Sequence, residues 1–285
     1  MDFILVAQTR MQSTSESTQN RDEEVLEKTD YNYKLTIKMS EEALQKLKDA
    51  NLNLCLIKKT VSCEPLGDLL PTIWVSTPDF GTETVFTWSQ KYGAYLSTFK
   101  RDEVITPDSS YPLGFNETLV FSEDEDKILA EVKKSPFSVP NALTFWNDTK
   151  SEVTAGLLQN ITLNGKELGL TPITVQTLRK YSAKTLYLPE RILVTFVPPT
   201  VKAGQVMMKY SGHPAMLVNV GYGANEKKII WTIRRQRDNK LLDPGAFYTE
   251  EDGNWGILIY NTNLSLPKLL TDTDGDPSKK DWKSR

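Results

Sequence analysis

Residues 201–233 read VKAGQVMMKYSGHPAMLVNVGYGANEKKIIWTI, and the reading of this stretch decides the fold class. Apolar, β-branched and aromatic runs are separated by two turn clusters, Ser211-Gly212-His213-Pro214 and Gly221-Tyr222-Gly223-Ala224-Asn225-Glu226. Runs this short, punctuated by Gly, Pro and Asn, predict consecutive antiparallel strands. Met207, Leu217, Val218, Val220, Ile229, Ile230 and Trp231 are the expected core positions of those strands.

The same pattern extends in both directions. Upstream, strand-like bursts occur at Thr72–Val75, Thr84–Trp88, Ala94–Phe99, Thr118–Phe121 and Ala142–Trp146, with Pro- and Gly-bearing turns between them. Asn164-Gly165 stands between two apolar segments, which is the strongest short hairpin signal a sequence carries. Further bursts fall at Leu186–Leu188, Ile192–Val197 and Asn254–Tyr260. Short strands at this spacing predict a sandwich or barrel.

Two local patterns near the N-terminus are sharper. Tyr31, Tyr33, Leu35 and Ile37 alternate with polar residues, which predicts a half-buried strand. Ser40 then offers a helix N-cap, with Glu41 and Glu42 in the first turn, where the positive end of the helix dipole favours them. Ala43, Leu44 and Leu47 form the apolar face of a short helix expected to stop near Asn51. The run from Leu52 to Ile57 predicts a strand buried on both faces.

The expected fold is therefore mainly β: two packed antiparallel β-sandwich units, one short N-terminal helix and flexible termini. The expected organisation is an arm over 1–29, a first unit over 30–150, a second over 151–270 and a polar tail over 271–285.

Composition narrows the function classes. Hydrophobic residues at 39% and charged residues at 25% are those of an ordinary globular chain. A net charge of −3 supplies no basic surface for nucleic acid. No apolar run reaches the length that crosses a bilayer as a helix. Phe3–Ala7 is apolar but follows Asp2 and ends at Gln8, unlike a secretory signal. The expected location is the cytoplasm, with export by a non-standard route left open. Two cysteines, Cys55 and Cys63, cannot make a disulfide framework in a chain of 285 residues. The four Asn-x-Thr/Ser sequons, at Asn116, Asn147, Asn160 and Asn263, are read as chance occurrences.

Catalytic signatures are missing from the sequence. A single histidine, His213, sits in a predicted turn with no second histidine to complete a common metal set. Cys55 lies mid-strand and reads as a small buried hydrophobe. Asp272-Thr273-Asp274-Gly275-Asp276 fails the calcium-loop spacing, because Pro277 stands where Gly is needed and Lys283 where Glu is needed. Phosphate-binding, nucleophile-elbow and zinc-protease motifs do not occur. The expectation is a protein without cofactor or metal and without enzymatic activity.

The leading functional expectation is a binding or self-assembling protein whose contacts come from sheet edges and from the arm. Phe3, Ile4, Leu5 and Val6 are the candidate arm strand, and Cys63 a candidate crosslink between molecules. The expected partner is a second copy of the chain. A lectin-like alternative would use Trp88, Tyr92, Tyr111, Tyr222 and Trp255 as sugar platforms. A pore-forming alternative would convert the Thr-rich segment Thr171–Lys184 into a membrane hairpin.

Overall fold

The computed structural model describes residues 32–58, 60–62, 69–97, 104–125, 127–134, 141–206, 215–220, 226–235 and 241–249. At residues 32, 219, 226–235 and 241–249 it describes the backbone only.

The chain opens with β1 (Asn32–Met39), α1 (Glu41–Asp49), β2 (Asn53–Lys58), β3 (Val61–Ser62), β4 (Leu69–Pro71), β5 (Ile73–Thr77), β6 (Glu83–Ser89) and β7 (Tyr92–Leu96). It continues through β8 (Ser109–Leu113), β9 (Thr118–Asp124), β10 (Lys127–Lys133), β11 (Leu143–Asn147), β12 (Val153–Leu163) and β13 (Lys166–Leu178). The last described elements are β14 (Ser182–Tyr187), β15 (Arg191–Val197), β16 (Ala215–Asn219), β17 (Glu226–Arg235) and β18 (Leu241–Thr249).

The protein is mainly β, with one short helix among the described residues, as the sequence predicts. Local chemistry sets each element. Ser40 caps α1, its side chain accepting from the Ala43 amide at 3.2 Å. Ala43 and Leu47 are the buried side of the helix. The helix ends because Asn51 turns left-handed at φ 50, a conformation Asn tolerates, and the amides of Asn51 and Leu52 bond back to Lys48 and Leu47. Asn164 and Gly165 both have positive φ, 48° and 82°, which is the two-residue turn whose twist matches a hairpin. That turn joins β12 to β13.

Three sheets form among the described residues. Nine strands make the largest, with a path β18-β17-β1-β6-β12-β13-β4, β7 attached at β12 and β8 attached at β7. Five strands follow the order β10-β9-β11-β14-β3, and four the order β16-β15-β2-β5. One continuous apolar core takes side chains from all three, including Leu35, Phe86 and Leu157 from the first, Phe121, Phe145 and Leu186 from the second, and Leu56, Trp74 and Phe196 from the third. β2 is buried on both faces, as predicted. Leu54 and Leu56 enter this main core, while Cys55 and Ile57 enter a second cluster with Ile73, Leu193 and Val197.

The structure corrects two expectations. First, the two described strands of the stretch 201–233, β16 and β17, do not pair with each other. β16 pairs with β15 in the four-stranded sheet, whereas β17 lies parallel to β1 in the nine-stranded one. Turn residues between two strands report only that the chain reverses, not that its flanks share a sheet. Second, the boundary near residue 150 does not separate two sheets or two cores. Strands from both sides of it pair in every sheet: β6 with β12, β11 with β14, and β2 with β15. The aromatics of β6 and β7 divide between two cores. Phe86, Trp88 and Tyr92 enter the main core, but Tyr95 points the other way, into a cluster with Ile105, Leu158, Val175 and Val206.

Candidate functional site

The chemistry-bearing residues that the fold brings together lie where the four-stranded sheet meets the nine-stranded one. Lys58 closes β2 with the same facing as Leu54 and Leu56, so its side chain is driven into the main core and is fully buried. Glu190 precedes β15, the strand paired with β2, and is 6% exposed. The Lys58 ammonium donates to Glu190 Oε2 at 2.8 Å and Oε1 at 3.1 Å, and to Gln159 Oε1 at 2.8 Å. The Tyr92 hydroxyl oxygen lies 3.5 Å from it.

Each partner is held in turn. Trp88 Nε1 donates to Glu190 Oε2 at 2.9 Å and the Tyr92 hydroxyl donates to Oε1 at 3.1 Å. Gln159 donates from its amide to the Ser89 carbonyl at 2.7 Å, and Trp74 Nε1 donates to the Gln159 carbonyl at 3.2 Å. The rings of Trp74 and Tyr92 each stand 5.3 Å from the Lys58 nitrogen, within range of a cation–π attraction. Trp88 packs edge-on against Trp74 and stacks on Tyr33, whose hydroxyl accepts from Gln90 at 2.7 Å.

Burial sets the electrostatics of this cluster. Loss of hydration pushes the Lys58 ammonium below its ordinary pKa, and the Glu190 carboxylate pulls it back towards the charged form. Burial pushes the Tyr92 phenol well above its ordinary pKa, and the neighbouring Glu190 charge adds to the shift. The Cys55 thiol is also held far above its ordinary range by burial, so it is not a poised thiolate. With its protons taken by Glu190 and Gln159, Lys58 presents no free nucleophilic nitrogen. The cluster is a saturated clamp between sheets. Among the described residues, no group of three or more His, Cys, Asp or Glu side chains is placed to hold a metal ion.

The residues singled out from sequence are dispersed by the fold. Trp88 and Tyr92 are 4% and 6% exposed, with their polar atoms bonded to Glu190, and neither presents a ring face to solvent. Tyr111, on β8, is half-buried against the main core. Tyr222, Trp255, Cys63, His213 and the arm residues Phe3, Ile4, Leu5 and Val6 lie outside the described residues. The segment Thr171–Lys184 is divided between β13 of the nine-stranded sheet and β14 of the five-stranded one, and its inner side chains are buried. A membrane hairpin built from it would require both sheets to open.

Asn147 is fully buried, and its amide donates to the carbonyls of Ser151, Leu178 and Arg179 at 2.8–3.1 Å. A glycan on that nitrogen is incompatible with the fold. Asn116 is exposed and Asn160 half-buried, while Asn263 lies outside the described residues.

Sequence reasoning missed Lys58, Gln159 and Glu190. The one signal for Lys58 was its position at the close of a run buried on both faces, where a strand end in solvent is the more frequent reading. The other accessible chemistry is at sheet edges. β10 ends the five-stranded sheet with Ile128 and Leu129 exposed, and the turn-proximal part of β13 exposes Leu168 and Leu170. Comparisons of the chain with models of known families, with curated proteins and with solved structures yield no match.

Proposed function

We propose that this chain is a non-enzymatic binding or self-assembling β protein, in which sheet edges and the N-terminal arm supply protein–protein contacts. One observation carries the reading: strand edges that are unpaired among the described residues and bear exposed Ile and Leu side chains, on β10 and on the outer part of β13. A free edge offers a row of backbone donors and acceptors to a further strand, and exposed apolar side chains beside it add area to be buried. The polar cluster in the interior supports the same reading, since its groups are bonded to one another. The lectin alternative loses two of its five candidate rings to the core.

Light scattering on the full chain and on a form lacking residues 1–20 tests the assembly reading. The full chain is expected as an oligomer whose mass falls on deletion. An unchanged oligomer removes the arm's role, and a monomer in both forms removes self-assembly.

A further inference from the structure

We propose that β10 is a self-complementary edge, through which two copies of the chain pair antiparallel about a two-fold axis at Leu129. This deepens the assembly reading above and rests on it. β10 pairs on one side with β9 in an unbroken register from Lys127↔Asp124 to Lys133↔Thr118. Among the described residues, nothing pairs with its other side.

The register fixes what that free side offers. Two residues, Glu125 and Asp126, join β9 to β10, so Asp124 and Lys127 are the hydrogen-bonded pair that closes the hairpin. Bonding to β9 then alternates, and Ile128, Ala130 and Val132 turn their amides and carbonyls outwards. Ala130 and Val132 also pack their side chains against the main core. Lys127, Leu129, Glu131 and Lys133 therefore share the solvent face, with Leu129 48% exposed.

Charge narrows the possible two-fold registers. Centred on Leu129, the strands set Leu129 against Leu129, Ile128 against Ala130 in both directions, and Lys127 against Glu131 twice. The outward-facing backbone groups of Ile128 and Ala130 meet each other, so the ladder is satisfied. Centring on Ala130 sets Lys127 against Lys133 and Leu129 against Glu131. Centring on Glu131 sets that carboxylate against itself, and centring on Ile128 sets Glu131 against Glu125. Like charges directly opposite across a strand pair are destabilising, which removes these three registers. Centring on Val132 sets Glu131 against Lys133, but it places Leu129 opposite a position beyond the end of β10, so the Leu129 register is the one that opposes unlike charges and also buries the exposed leucine against its copy.

The other exposed edge is less suited to the task. Gly169 of β13 has φ 84, and the β12–β13 register shifts between Asn160 and Thr162, so its edge is bulged beside Leu168 and Leu170. Bulges blunt an edge against further pairing. β10 has no such interruption.

Sedimentation velocity over a concentration series tests the proposal, with Lys127→Glu, Glu131→Lys and the double exchange. All three positions at issue are exposed, and circular dichroism checks that each variant folds. Each single exchange is expected to weaken dimerisation about tenfold or more, because two attractive pairs become repulsive. The double exchange restores the pairs and is expected to return the affinity close to that of the unaltered chain. Leu129→Cys, in a Cys63→Ser background, is expected to give a disulfide-linked dimer on mild oxidation, since directly opposed side chains that do not share a ladder bond approach closest. An oligomer indifferent to the exchanges and uncrosslinked through position 129 overturns the β10 contact alone. If that oligomer is lost on deleting residues 1–20, the assembly reading stands. A chain that is monomeric at every concentration overturns both.

Discussion

Removing either end of the Lys58–Glu190 pair is expected to be far more damaging than removing both. The nitrogen and the carboxylate are 2.8 Å apart, with side chains 0% and 3% exposed, so solvent does not screen them. Lys58→Met leaves a buried carboxylate supported only by Trp88 and Tyr92, and Glu190→Gln leaves a buried ammonium with neutral acceptors. Losing one partner of a buried pair costs about 3–5 kcal/mol. Additive behaviour would then place Lys58→Met/Glu190→Gln at roughly 6 kcal/mol or more below the unaltered protein. The double variant has no uncompensated charge, Met fills the volume of the lysine stem, and Gln can still accept from Trp88 and Tyr92. Its loss is expected near 1–3 kcal/mol, the scale of one or two buried hydrogen bonds, giving a coupling energy of about 3 kcal/mol or more. Urea unfolding followed by tryptophan fluorescence measures the cycle, because Trp74 and Trp88 stand in the cluster. Equal urea dependence across the four proteins is needed before the free energies are compared. A coupling energy below about 0.5 kcal/mol would refute the clamp, because partners in one network are expected to couple by at least that much.

Two further outcomes follow from single positions. At Gly156, an added Cβ would lie 2.5 Å from the Tyr95 hydroxyl oxygen and closer still to the Thr174 carbonyl, two groups already bonded to each other at 2.9 Å. Gly156→Ala is therefore expected to lower stability by about 1–3 kcal/mol, read as a fall in the urea midpoint, and a neutral result would show that β7 and β13 yield freely there. At Gln176, 1% exposed between Leu69 and Ala155, both amide atoms lack a hydrogen-bond partner among the described residues. Gln176→Met keeps the length and removes the unpaired groups, so it is expected to raise the thermal midpoint by an amount equivalent to about 1–2 kcal/mol, and a destabilised variant would contradict the unpaired assignment.

The elements that were legible in the sequence are those decided within a few residues. Ser40 finds its partner three residues on, Asn51 ends a helix by its own backbone, and Asn164-Gly165 closes a hairpin between immediate neighbours. Alternation in β1 and the double burial of β2 are likewise local patterns. The pairing of sheets was not legible, because it joins strands that the sequence holds far apart: β2 to β15, and β1 to β17 in parallel. Nothing in an apolar run names its neighbour. The polar cluster fails to show for the same reason. Lys58 and Glu190 are 132 residues apart, and Lys58 and Gln159 are 101 apart. Each taken alone reads as a surface residue, since charged side chains are rarely buried unless paired. The edge at β10 was only half legible. Lys127 to Lys133 of β10 carries alternating charge that acquires meaning only once one side of the strand is known to be unpaired among the described residues.

The position of the clamp also bears on why the fold is single-valued. Leu, Ile and Phe side chains hold two sheets together without fixing how one lies on the other, because apolar attraction has little direction. The Lys58–Glu190 cluster is directional. It ties β2, β5 and the residue before β15, on the four-stranded sheet, to Trp88, Tyr92 and Gln159 on the nine-stranded one. Sliding the sheets by one residue would break these bonds together and leave a buried charge unpaired. The double variant of the cycle separates the two contributions. Where stability returns but amide proton resonances broaden or multiply, the pair chooses the docking of the sheets. Where both stability and a single sharp set of resonances survive, apolar packing alone suffices, as it does in some proteins whose buried ion groups have been replaced.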